Sequence, residues 1–385
     1  MVEQIHAGPV ANSMKIRVMH LTYDMGIGGT EQVIKNLIEG SSRNRFDMTI
    51  YCIEEPIGAF GEMLLQNGTE ITSRQRQAGF DRQLVRALRR HIQRNAIDIL
   101  HCHQYTPWAY GALAAAGLKC KVIFTEHGRF YPDRSSWKRR LVNPLLVGLT
   151  HRITAISQAT KQALTDYEFI SADRIEVIYN GIHPLQVEPS DIAHTRSEMG
   201  IEDSTQVIGT IARMDPIKNH VMMLNAFANV LEQHPDCRLV IVGDGEERQN
   251  LENRVRELNL KNQVSFAGYI RNPGRYLACM NIFLLSSLSE GTSMTLLEAM
   301  SLSKPCIVTN AGGNPEIVID GETGRVTEND DEVGFACAIN QLLDNPEMTE
   351  TLGRQARQRF DDKFVAKSMC EQYANVYRSC QEHGT

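Results

Sequence analysis

Short apolar runs alternate along the chain with segments in which apolar residues recur at helical spacing. In the first half, the apolar runs cover residues 15–21, 47–53, 99–103, 121–125 and 151–156. In the second half, they cover residues 206–211, 238–243, 263–268, 282–285 and 305–309. The helical segments between them include residues 31–38, 221–233 and 246–258. Short apolar strands separated by helices of roughly 10–15 residues predict an α/β fold with parallel sheets that helices cover on both faces.

The alternation is interrupted at residues 180–190, where the chain is polar and contains two prolines. A chain of 385 residues is longer than one hydrophobic core usually supports. We therefore predict two domains, 14–183 and 184–364, followed by a helical region with no further strand. Because ligands bind beyond the carboxyl ends of the strands in open α/β sheets, two such domains are expected to enclose a cleft.

The composition is ordinary for a globular protein, with 42% hydrophobic and 22% charged residues. The apolar runs fall far short of the roughly 20 residues that a membrane-spanning helix needs. Residues 1–13 lack a basic segment followed by an apolar core, so we expect no secretory signal there and predict a disordered extension. The nine cysteines include no C-x-x-C pair, which predicts free thiols and a cytoplasmic location.

Charge is distributed unevenly along the chain. Residues 1–184 contain 22 Lys and Arg against 17 Asp and Glu, and the remainder contains 18 against 29, which gives the net charge of −6. Residues 74–94 carry seven arginines, and residues 137–142 mix basic and apolar side chains. These segments are either solvated basic faces of core-packed helices or a surface that docks on anionic lipid headgroups. No nucleic-acid partner is expected, because the chain is acidic overall and has no recognition motif.

Two carboxylates, Glu290 and Glu298, bracket the predicted start of a helix that follows the apolar run at 282–285. Backbone N–H groups and the dipole at a helix start favour phosphate. Carboxylates accept hydrogen bonds from sugar hydroxyls and repel phosphate, so they suit the two ends of a nucleoside-diphosphate-sugar. Two glutamates at this spacing also occur on ordinary solvated helices, and the segment alone does not decide between these interpretations.

Arg213 and Lys218 follow the apolar run at 206–211 and precede a helix. They can converge on one anion, which would stabilise the charge that a departing diphosphate gains; alternatively, they form a solvated basic turn. The chain contains no D-x-D motif. His101 and His103 share one face of a strand, but no third metal ligand is evident, so we expect one or both to line the cleft rather than to bind a metal.

Two further strand-to-helix turns have a composition suited to a binding site. His127, followed by Gly128, ends the run at 121–125 and could act as a general acid or base, bind a sugar hydroxyl or satisfy a neighbouring carbonyl. The first turn, with Gly28 and Gly29, allows close approach of the backbone to a ligand. It is not a G-x-G-x-x-G motif and has no Walker lysine.

The order of these turns resembles that of retaining glycosyltransferases with the GT-B fold, and in particular glycosyltransferase family 4. The resemblance extends from about residue 14 to the end and includes Asn180-Gly-Ile and Val242-Gly-Asp-Gly. Its most specific element is the E-x7-E segment, 290–298, combined with the upstream Arg213 and Lys218. It implies two Rossmann-like domains whose parallel sheets face each other across a central cleft, and a C-terminal helix, at about 365–385, that crosses back to the first domain.

The resemblance also implies a role for each residue. Arg213 and Lys218 would clamp the diphosphate in place of a metal, and His127 and Glu290 would lie near the donor sugar; these four are the predicted catalytic residues. His103 is expected on the acceptor side. The predicted donor-binding residues are Gly28, Gly29, Tyr269, Ile270, Gly291, Thr292, Ser293, Met294, Thr295 and Glu298. Of these, Glu298 would accept the ribose hydroxyls, and Tyr269 and Ile270 would frame the base.

The expected reaction is transfer of a sugar from a nucleotide-diphosphate donor to a glycan or lipid-linked acceptor in cell-envelope or exopolysaccharide synthesis, with no metal and no cofactor beyond the donor. UDP is the expected nucleotide. Many family members have Gly or Pro within the E-x7-E segment where this chain has Thr-Ser-Met-Thr at 292–295, so the donor sugar cannot be carried over. The alternatives are a nucleotide-sugar epimerase, with His127 and Glu290 as its acid–base pair, and a non-catalytic nucleotide-sugar-binding protein.

Overall fold

The N-terminal half of the chain builds a seven-stranded parallel sheet. The computed structural model describes residues 15–128 and 136–382, and the extension predicted at 1–13 lies outside the described residues. The strands are β1 (Ile16–Thr22), β2 (Phe46–Cys52), β3 (Ile71–Ser73), β4 (Ile99–His103), β5 (Lys121–Glu126), β6 (Arg152–Ala155) and β7 (Ile175–Val177), in the order β3-β2-β1-β4-β5-β6-β7. The helices are α1 (Gly29–Gly40), α2 (Ala59–Gln66), α3 (Arg82–Arg94), α4 (Tyr105–Ala115), α5 (Trp137–Gly148) and α6 (Gln158–Glu168).

The second half of the chain builds a six-stranded parallel sheet. Its strands are β8 (Val207–Ile211), β9 (Arg238–Val242), β10 (Val264–Gly268), β11 (Ile282–Leu285), β12 (Cys306–Thr309) and β13 (Gly324–Thr327), in the order β10-β9-β8-β11-β12-β13. The helices are α7 (Pro189–Glu198), α8 (His220–Val230), α9 (Arg248–Glu257), α10 (Gly274–Cys279), α11 (Met294–Ser301), α12 (Asn314–Ile317), α13 (Glu332–Asp344), α14 (Pro346–Lys363) and α15 (Ala366–Glu382). The predicted pair of Rossmann-like α/β sheets is confirmed.

The strands that the apolar pattern did not predict, β3, β7 and β13, lie at sheet edges. Each has only three or four residues, and most of these are half-buried or exposed. An edge strand is covered less completely than a central one, so it does not need a continuous apolar run. Among the described residues, no helix combines the length and the apolar character needed to cross a membrane.

The last helix, α15, packs on the first sheet rather than on the second. Its buried side chains Tyr373 and Tyr377 share a core with Val33 and Leu37 of α1. The two chain crossings between the sheets lie side by side, because the N–H of Ile182 donates to the carbonyl of residue 364 at 2.9 Å and its own carbonyl accepts from the N–H of residue 366 at 2.8 Å. These contacts fix the ends of the second half against the first.

The face of the first sheet beneath α1 and α15 changes character along its strands. Towards the amino ends it is apolar, with buried Val18, Ile99 and Ile123. Towards the carboxyl ends the same face carries polar side chains that are fully buried, among them His20 and His101. A buried polar layer of this kind is costly unless its members bond to one another, and it lies next to the ends of the strands where α/β proteins bind ligands.

Candidate active site

A cavity lies where the carboxyl ends of the two sheets meet. The strand order reverses between β1 and β4 in the first sheet and between β8 and β11 in the second, and such switch points are where open α/β sheets bind ligands. The cavity is lined from both halves of the chain by Gln104, His127, Gly128, Arg213, Asp215, Ile217, Lys218, Ser289, Glu290 and Gly291. Another cavity, lined in part by Lys15 and Asp47, lies at the amino ends of β1 and β2, away from these loops.

Lys218 and Glu290 form an ion pair between the loops that follow β8 and β11. Lys218 Nζ lies 2.6 Å from Glu290 Oε1, and the Ser287 hydroxyl donates to the same oxygen at 2.6 Å. The Ser286 hydroxyl donates to the carbonyl of Lys218 at 2.8 Å, which ties the two loops together. The Lys218 and Glu290 side chains are 22% and 9% exposed. A phosphate that entered the cavity would therefore compete with Glu290 for the ammonium group.

Arg213 is held by a different carboxylate and is far more exposed. Its guanidinium lies 2.7 Å from Asp215 Oδ2, and its side chain is 77% exposed while that of Asp215 is 10% exposed. The sequence predicted that Arg213 and Lys218 converge on one anion. Both line the same cavity, but each has its own carboxylate partner, so an anion would have to draw both cations away from these partners.

The loop before α11 joins the two halves of the molecule. The Thr292 hydroxyl donates to the carbonyl of Ile156, in the first half, at 3.0 Å. The Ser293 side chain caps α11 and lies 3.1 Å from the Thr295 hydroxyl. Met294 lies close to Gly29, since a Cβ placed on that glycine would be 3.7 Å from the Met294 side chain. The side chains of this loop are thus largely engaged in contacts within the protein.

Glu298, on α11, has a carboxyl group that forms no hydrogen bond with the described residues. Burial raises its pKa to about 7, because removal from water disfavours the charged form. Because this carboxyl group can lose its proton near neutral pH, hydrogen-bond donors that arrive with a ligand would stabilise its charged form. The position therefore suits the predicted contact with ribose hydroxyls.

Of the ten predicted donor-binding residues, all of them described, Gly291 belongs to the lining of the cavity and the other nine do not. Gly28 and Gly29 are at the start of α1, where Gly28 has an extended backbone. Tyr269 follows the edge strand β10 and is 59% exposed, and Ile270 packs partly against the second core.

Three histidines form a hydrogen-bonded row that ends at the cavity. His127 Nε2 lies 2.8 Å from His103 Nδ1, and His103 Nε2 lies 3.0 Å from His20 Nδ1. Burial lowers the pKa of His20 and of His127 to about 3 and lowers that of His103 well below its usual range. All three rings are therefore neutral at physiological pH, and His127 presents an uncharged ring to the cavity.

The structure also supplies a third potential metal ligand, His20, which the sequence did not reveal. Side-chain nitrogens of His20, His101 and His103 lie within 4.8 Å of one another. Five of the six ring nitrogens are already hydrogen-bonded, those of His101 to Tyr377 and Thr125, and only His20 Nε2 has no partner in the described part of the chain. A metal ion at this cluster would have to replace those hydrogen bonds, so the donor set is poorly suited to one.

Sequence reasoning missed three polar residues of the cavity, Gln104, Asp215 and Ser289. Gln104 has a φ of +70°, which is unfavourable for a residue with a side chain, and strained backbone conformations are enriched at functional sites. Its buried amide oxygen has no partner among the described residues. Nothing in the sequence marks Gln104, whereas Asp215 stood inside the Arg213–Lys218 segment and could have been recognised as the partner of an arginine two residues away.

Gly312 and Gly313, which follow β12, were also missed by the sequence analysis. A Cβ on Gly312 would overlap the carbonyl oxygen of Glu290, and one on Gly313 would overlap that of Gly291. Gly312 also has a φ of +52°, which favours glycine. These glycines let the loop after β12 support the backbone of the Glu290 loop. A Gly-Gly pair between an apolar run and a proline was the available signal.

Glu316, on α12, was likewise missed by the sequence analysis. It joins the second half of the molecule to the first. Its carboxylate accepts hydrogen bonds from the N–H groups of residues 158 and 159, at 2.7 and 2.8 Å, at the start of α6. The Tyr179 hydroxyl donates to it at 2.9 Å. A carboxylate is stabilising at a helix N-terminus, so this contact holds the two sheets around the cavity.

Two family models match the chain, and both describe glycosyltransferases. Residues 27–184 match Glycosyltransferase Family 4, and residues 191–359 match Glycosyl transferases group 1. The N-acetyl-alpha-D-glucosaminyl L-malate synthase of Bacillus anthracis is 30% identical over 304 residues, which are 77% of this chain and 79% of that protein. The UDP-Gal:alpha-D-GlcNAc-diphosphoundecaprenol alpha-1,3-galactosyltransferase of Escherichia coli is 24% identical over 383 residues, 94% of this chain and 97% of that protein.

A solved structure shares the whole fold. HepE of Anabaena, in complex with UDP, aligns with a TM-score of 0.85 at 23% identity and covers 94% of this chain and 100% of its own. The two matching models together span both sheets and the switch-point loops described above. The chain belongs to the group 1, family 4 glycosyltransferases of the GT-B fold, and it is a glycosyltransferase.

Proposed function

We propose that this enzyme transfers a sugar from a UDP-sugar to a glycan or lipid-linked acceptor, with retention of configuration and without a metal ion. The observation that carries the proposal is the pair of cations on one side of the cavity, Arg213 and Lys218, opposed by neutral His127 from the other sheet. A cavity whose two cations can exchange their carboxylate partners for phosphate oxygens, and whose imidazole is uncharged, suits a diphosphate next to an uncharged sugar.

In this proposal the diphosphate of the donor exchanges partners with the two carboxylates. It takes Lys218 from Glu290 and Arg213 from Asp215, and each charge-assisted hydrogen bond contributes roughly 1.5–3 kcal/mol. The released Glu290 carboxylate then accepts a hydrogen bond from a sugar hydroxyl. Glu298 accepts hydrogen bonds from the ribose. The exchange is feasible because both pairs line the cavity and neither is sealed in a core.

The proposed chemical step takes place on one face of the sugar. The bond between the anomeric carbon and the phosphate oxygen breaks, and the acceptor hydroxyl oxygen bonds to that carbon from the same side. The departing phosphate oxygen takes the acceptor proton, so UDP leaves and no side chain forms a covalent bond. Arg213 and Lys218 stabilise the negative charge that develops on the diphosphate.

The epimerase alternative fits the site less well. It would need two groups that exchange protons with the sugar at neutral pH. His127, with a pKa of about 3 and its Nε2 bonded to His103, is poorly suited to that task.

Support for UDP comes from the relatives. HepE of Anabaena has been solved with UDP, with UDP and glucose, and with UDP-glucose, and the Escherichia coli relative is named for a UDP-Gal donor. Within the Thr-Ser-Met-Thr segment at 292–295, the side chains of Thr292 and Met294 lie against the first half of the chain.

A membrane-bound acceptor is supported by the outer face of α5. Trp137, Leu141 and Leu145, spaced four residues apart on this helix, are 71%, 68% and 59% exposed. Lys138 and Arg140 are exposed beside them. A helix with an exposed apolar stripe flanked by cations is suited to the surface of an anionic bilayer.

The second predicted basic segment adds charge but no apolar stripe. On α3 the arginines at 82, 86, 90 and 94 are exposed, while the apolar residues Leu84, Leu88 and Ile92 are buried in the core. Both α3 and α5 pack against α4, so the arginines of α3 would add electrostatic attraction to a surface that α5 enters. We propose peripheral attachment to the inner face of the membrane by α5, aided by α3.

Sedimentation with vesicles tests this attachment. The wild-type enzyme is expected to sediment with vesicles that contain anionic lipid and to remain in solution with neutral vesicles. Leu141→Ser with Leu145→Ser should abolish sedimentation, whereas Val333→Ser, which removes another side chain that is 68% exposed, should not. Equal sedimentation of all three proteins would contradict a membrane role for α5.

The donor is tested by thermal unfolding with UDP, GDP, ADP and their common sugars, each with Mg²⁺ and with EDTA. A ligand at 100 times its dissociation constant stabilises a protein by about 2.7 kcal/mol. We expect selective stabilisation by uridine nucleotides that is equal in Mg²⁺ and EDTA. Selectivity for another nucleotide, or a requirement for Mg²⁺, would contradict the corresponding part of the proposal. L-malate, the acceptor named for the Bacillus anthracis relative, should be included to test for a small acid acceptor.

A further inference from the structure

The seven arginines at residues 74–94 lie in three kinds of surroundings. The four on the outer face of α3, at 82, 86, 90 and 94, are exposed. Arg89 donates to two carbonyl groups at the end of α4, at 3.0 and 2.7 Å, and so has a structural role. Arg74 and Arg76, which follow β3, are half-buried and belong to neither group. Their position needs a different explanation from that of the other five.

The guanidinium groups of Arg74 and Arg76 make few contacts for their degree of burial. Arg76 Nη2 lies 3.5 Å from Glu54 Oε1, with the arginine side chain 27% exposed, whereas a charge-assisted hydrogen bond is usually about 2.7–2.9 Å long. The Arg74 side chain donates to the uncharged amide of Gln83 at 3.3 Å, its one hydrogen bond among the described residues. The buried Nε of each arginine has no partner in the described part of the chain. Because a cation that is partly withdrawn from water is costly unless it is paired, both side chains are suited to an anionic ligand.

Arg76 lies on the edge of the first sheet at which the cavity opens. Its N–H donates to the carbonyl of Ile53 at 2.8 Å, and the N–H of Glu54 donates to that of Tyr23 at 3.0 Å, so the segments after β3, β2 and β1 run side by side. On its other side β1 pairs with β4, and Gln104, directly after β4, lines the cavity. A ligand that extends from the cavity along the carboxyl ends of β1 and β2 would therefore reach Arg76.

Tyr23, at the end of β1, adds a hydroxyl group to this edge between the cavity and Arg76. Its hydroxyl is hydrogen-bonded to the side chain of Thr106, in the first turn of α4. Burial raises the pKa of Tyr23, and the carboxylates of Glu54 and Glu126 add to this effect, while the Thr106 hydrogen bond and the charge of Arg76 oppose it. The hydroxyl is thus protonated at neutral pH and close enough to Arg76 to feel its charge, so it can donate a hydrogen bond to the same ligand.

A carboxylate or phosphate group fits these side chains best. Its oxygens match the fork of N–H donors on a guanidinium, and its charge compensates a cation that a hydroxyl group would leave unpaired. Glu54, with a side chain that is 36% exposed, can give way to such a group by turning to solvent. We propose that Arg76 and Arg74, with the Tyr23 hydroxyl, bind a carboxylate or phosphate group of the acceptor, while the acceptor hydroxyl that receives the sugar lies in the cavity beside Gln104.

The proposal gives the two anionic substrates separate sets of cations. The donor diphosphate is held by Arg213 and Lys218 of the second half, and the anionic group of the acceptor by Arg76 and Arg74 of the first. An uncharged acceptor would leave Arg76 without a partner and would bind more weakly, so the site discriminates between acceptors by charge. This inference rests on the proposed function, because it assigns the site to the acceptor of the sugar transfer.

Acceptor use by the wild-type enzyme tests the inference. Nucleotide release from the sugar donor that the thermal screen identifies is measured with matched acceptors: L-malate against its uncharged dimethyl ester, and a panel of sugar 1-phosphates against the methyl glycosides of the same sugars. We expect a KM at least roughly tenfold lower for a charged acceptor than for its uncharged counterpart, since the latter lacks a charge-assisted hydrogen bond. Use of malate would identify a carboxylate as the group bound, and use of a sugar phosphate would identify a phosphate. Equal use of the uncharged counterparts, or no transfer to any charged acceptor by a protein that binds nucleotide, would overturn the inference.

Variants of Arg76 connect the preference to this site. Arg76→Gln should raise the KM for the charged acceptor by roughly tenfold or more, and leave both the KM for its uncharged counterpart and the Kd for UDP unchanged. Arg76→Lys, which keeps the charge but not the fork of donors, should lie between Arg76→Gln and the wild type. The matched control is Arg354→Gln, at an arginine on α14 whose side chain is 63% exposed, and it should behave as the wild type. An unchanged KM for the charged acceptor in Arg76→Gln would overturn the inference.

The two proposals fail in different ways. If the wild-type enzyme binds no nucleotide, the proposed function is contradicted. If it binds nucleotide and transfers sugar without a preference for charged acceptors, only the site at Arg76 and Arg74 is contradicted. Should Arg76→Gln fail to fold, the comparison of acceptors with the wild-type enzyme still decides the inference.

Discussion

The two sides of the cavity are built from opposite kinds of polar group. The second sheet contributes ion pairs, Lys218 with Glu290 and Arg213 with Asp215, on loops that follow its strands. The first sheet contributes neutral rings, led by His127, that are bonded to one another down into the core. Ion pairs at a cavity wall can exchange partners with an incoming anion, whereas a buried hydrogen-bonded row holds its geometry. One side is therefore suited to bind and release charge and the other to position an uncharged group.

The largest effect on sugar transfer should come from Lys218→Ala, on the charged side of the cavity. Without the ammonium group the developing charge on the diphosphate loses a donor, and removal of one such donor typically costs on the order of 10²–10³ in turnover. Sugar transfer from the nucleotide-sugar that the thermal screen identifies is the measurement.

The matched control for this variant is Lys261→Ala, at an exposed lysine before β10. It should transfer sugar at the wild-type rate. Near-normal turnover in Lys218→Ala, with the protein folded, would remove Lys218 from the catalytic machinery and with it the distinction between the two sides.

Glu298→Gln should have the next largest effect. The amide has the shape of the carboxyl group but no charge, and loss of a charge-assisted hydrogen bond to the ribose should weaken UDP binding by roughly tenfold or more. Calorimetric titration with UDP measures it. Binding as tight as in the wild type would show that Glu298 does not contact the nucleotide.

The pH dependence of the same contact gives a sharper test. Since burial raises the pKa of Glu298 to about 7, the carboxyl group is protonated below that pH and loses an acceptor, so UDP affinity should rise as pH increases through 7. In the absence of UDP, the free energy of unfolding depends on pH in the opposite direction, and it decreases as pH rises. The raised pKa favours the folded state at low pH, and this contribution is lost between the unfolded value of 4.5 and about 7 as pH rises. Glu298→Gln should flatten both dependences, and unchanged profiles would contradict the role of this carboxyl group.

Gly29→Ala probes the approach of the first sheet to the ligand, with a smaller effect. A Cβ there would meet only the Met294 side chain, at an ordinary distance of 3.7 Å, so the melting temperature should change little. If the backbone at Gly29 lies against the donor, UDP binding should nevertheless weaken several-fold. Gly312→Ala is the contrast, because overlap with the Glu290 carbonyl should lower the melting temperature itself. Full UDP affinity in Gly29→Ala would place this turn away from the donor.

The smallest effect is expected in the pH dependence of the reaction rate when His127, on the neutral side of the cavity, is replaced. His127, with a pKa of about 3, stays uncharged between about pH 5 and pH 9. The pH profiles of wild type and His127→Gln should therefore have the same shape in that range, even though their rates differ. A wild-type inflection near pH 6.5 that disappears in the variant would show that His127 titrates and that this side is not neutral.

The fold and the charged side were accessible from the sequence because each depends on local patterns. Apolar runs placed the central strands, and the residues directly after β8 and β11, including Arg213 and Glu290, could be located by counting from those strands. The edge strands β3, β7 and β13 were missed because they lack a continuous apolar run. The partner of Lys218 is 72 residues away, and a contact between two loops at that separation has no signal in a single sequence.

The neutral side was less accessible. His103 and His127 could be placed at strand ends, but the row depends on His20, 83 residues from His103, and on the register of β1 beside β4. The pKa values of these rings depend on burial, which only the folded chain creates. Gln104 was hidden for a similar reason, because its unusual backbone conformation is imposed by its surroundings.

The measurement that tests the central claim most directly is calorimetric titration of UDP into wild type, Lys218→Ala and His127→Gln, all in EDTA. The account predicts tight binding to the wild type without metal. It predicts a loss of roughly tenfold or more in Lys218→Ala, since a charge-assisted hydrogen bond to phosphate is removed, and only a small change in His127→Gln. Equal affinity of wild type and Lys218→Ala, or a loss confined to His127→Gln, would contradict the division of the cavity into a charge-binding and a positioning side.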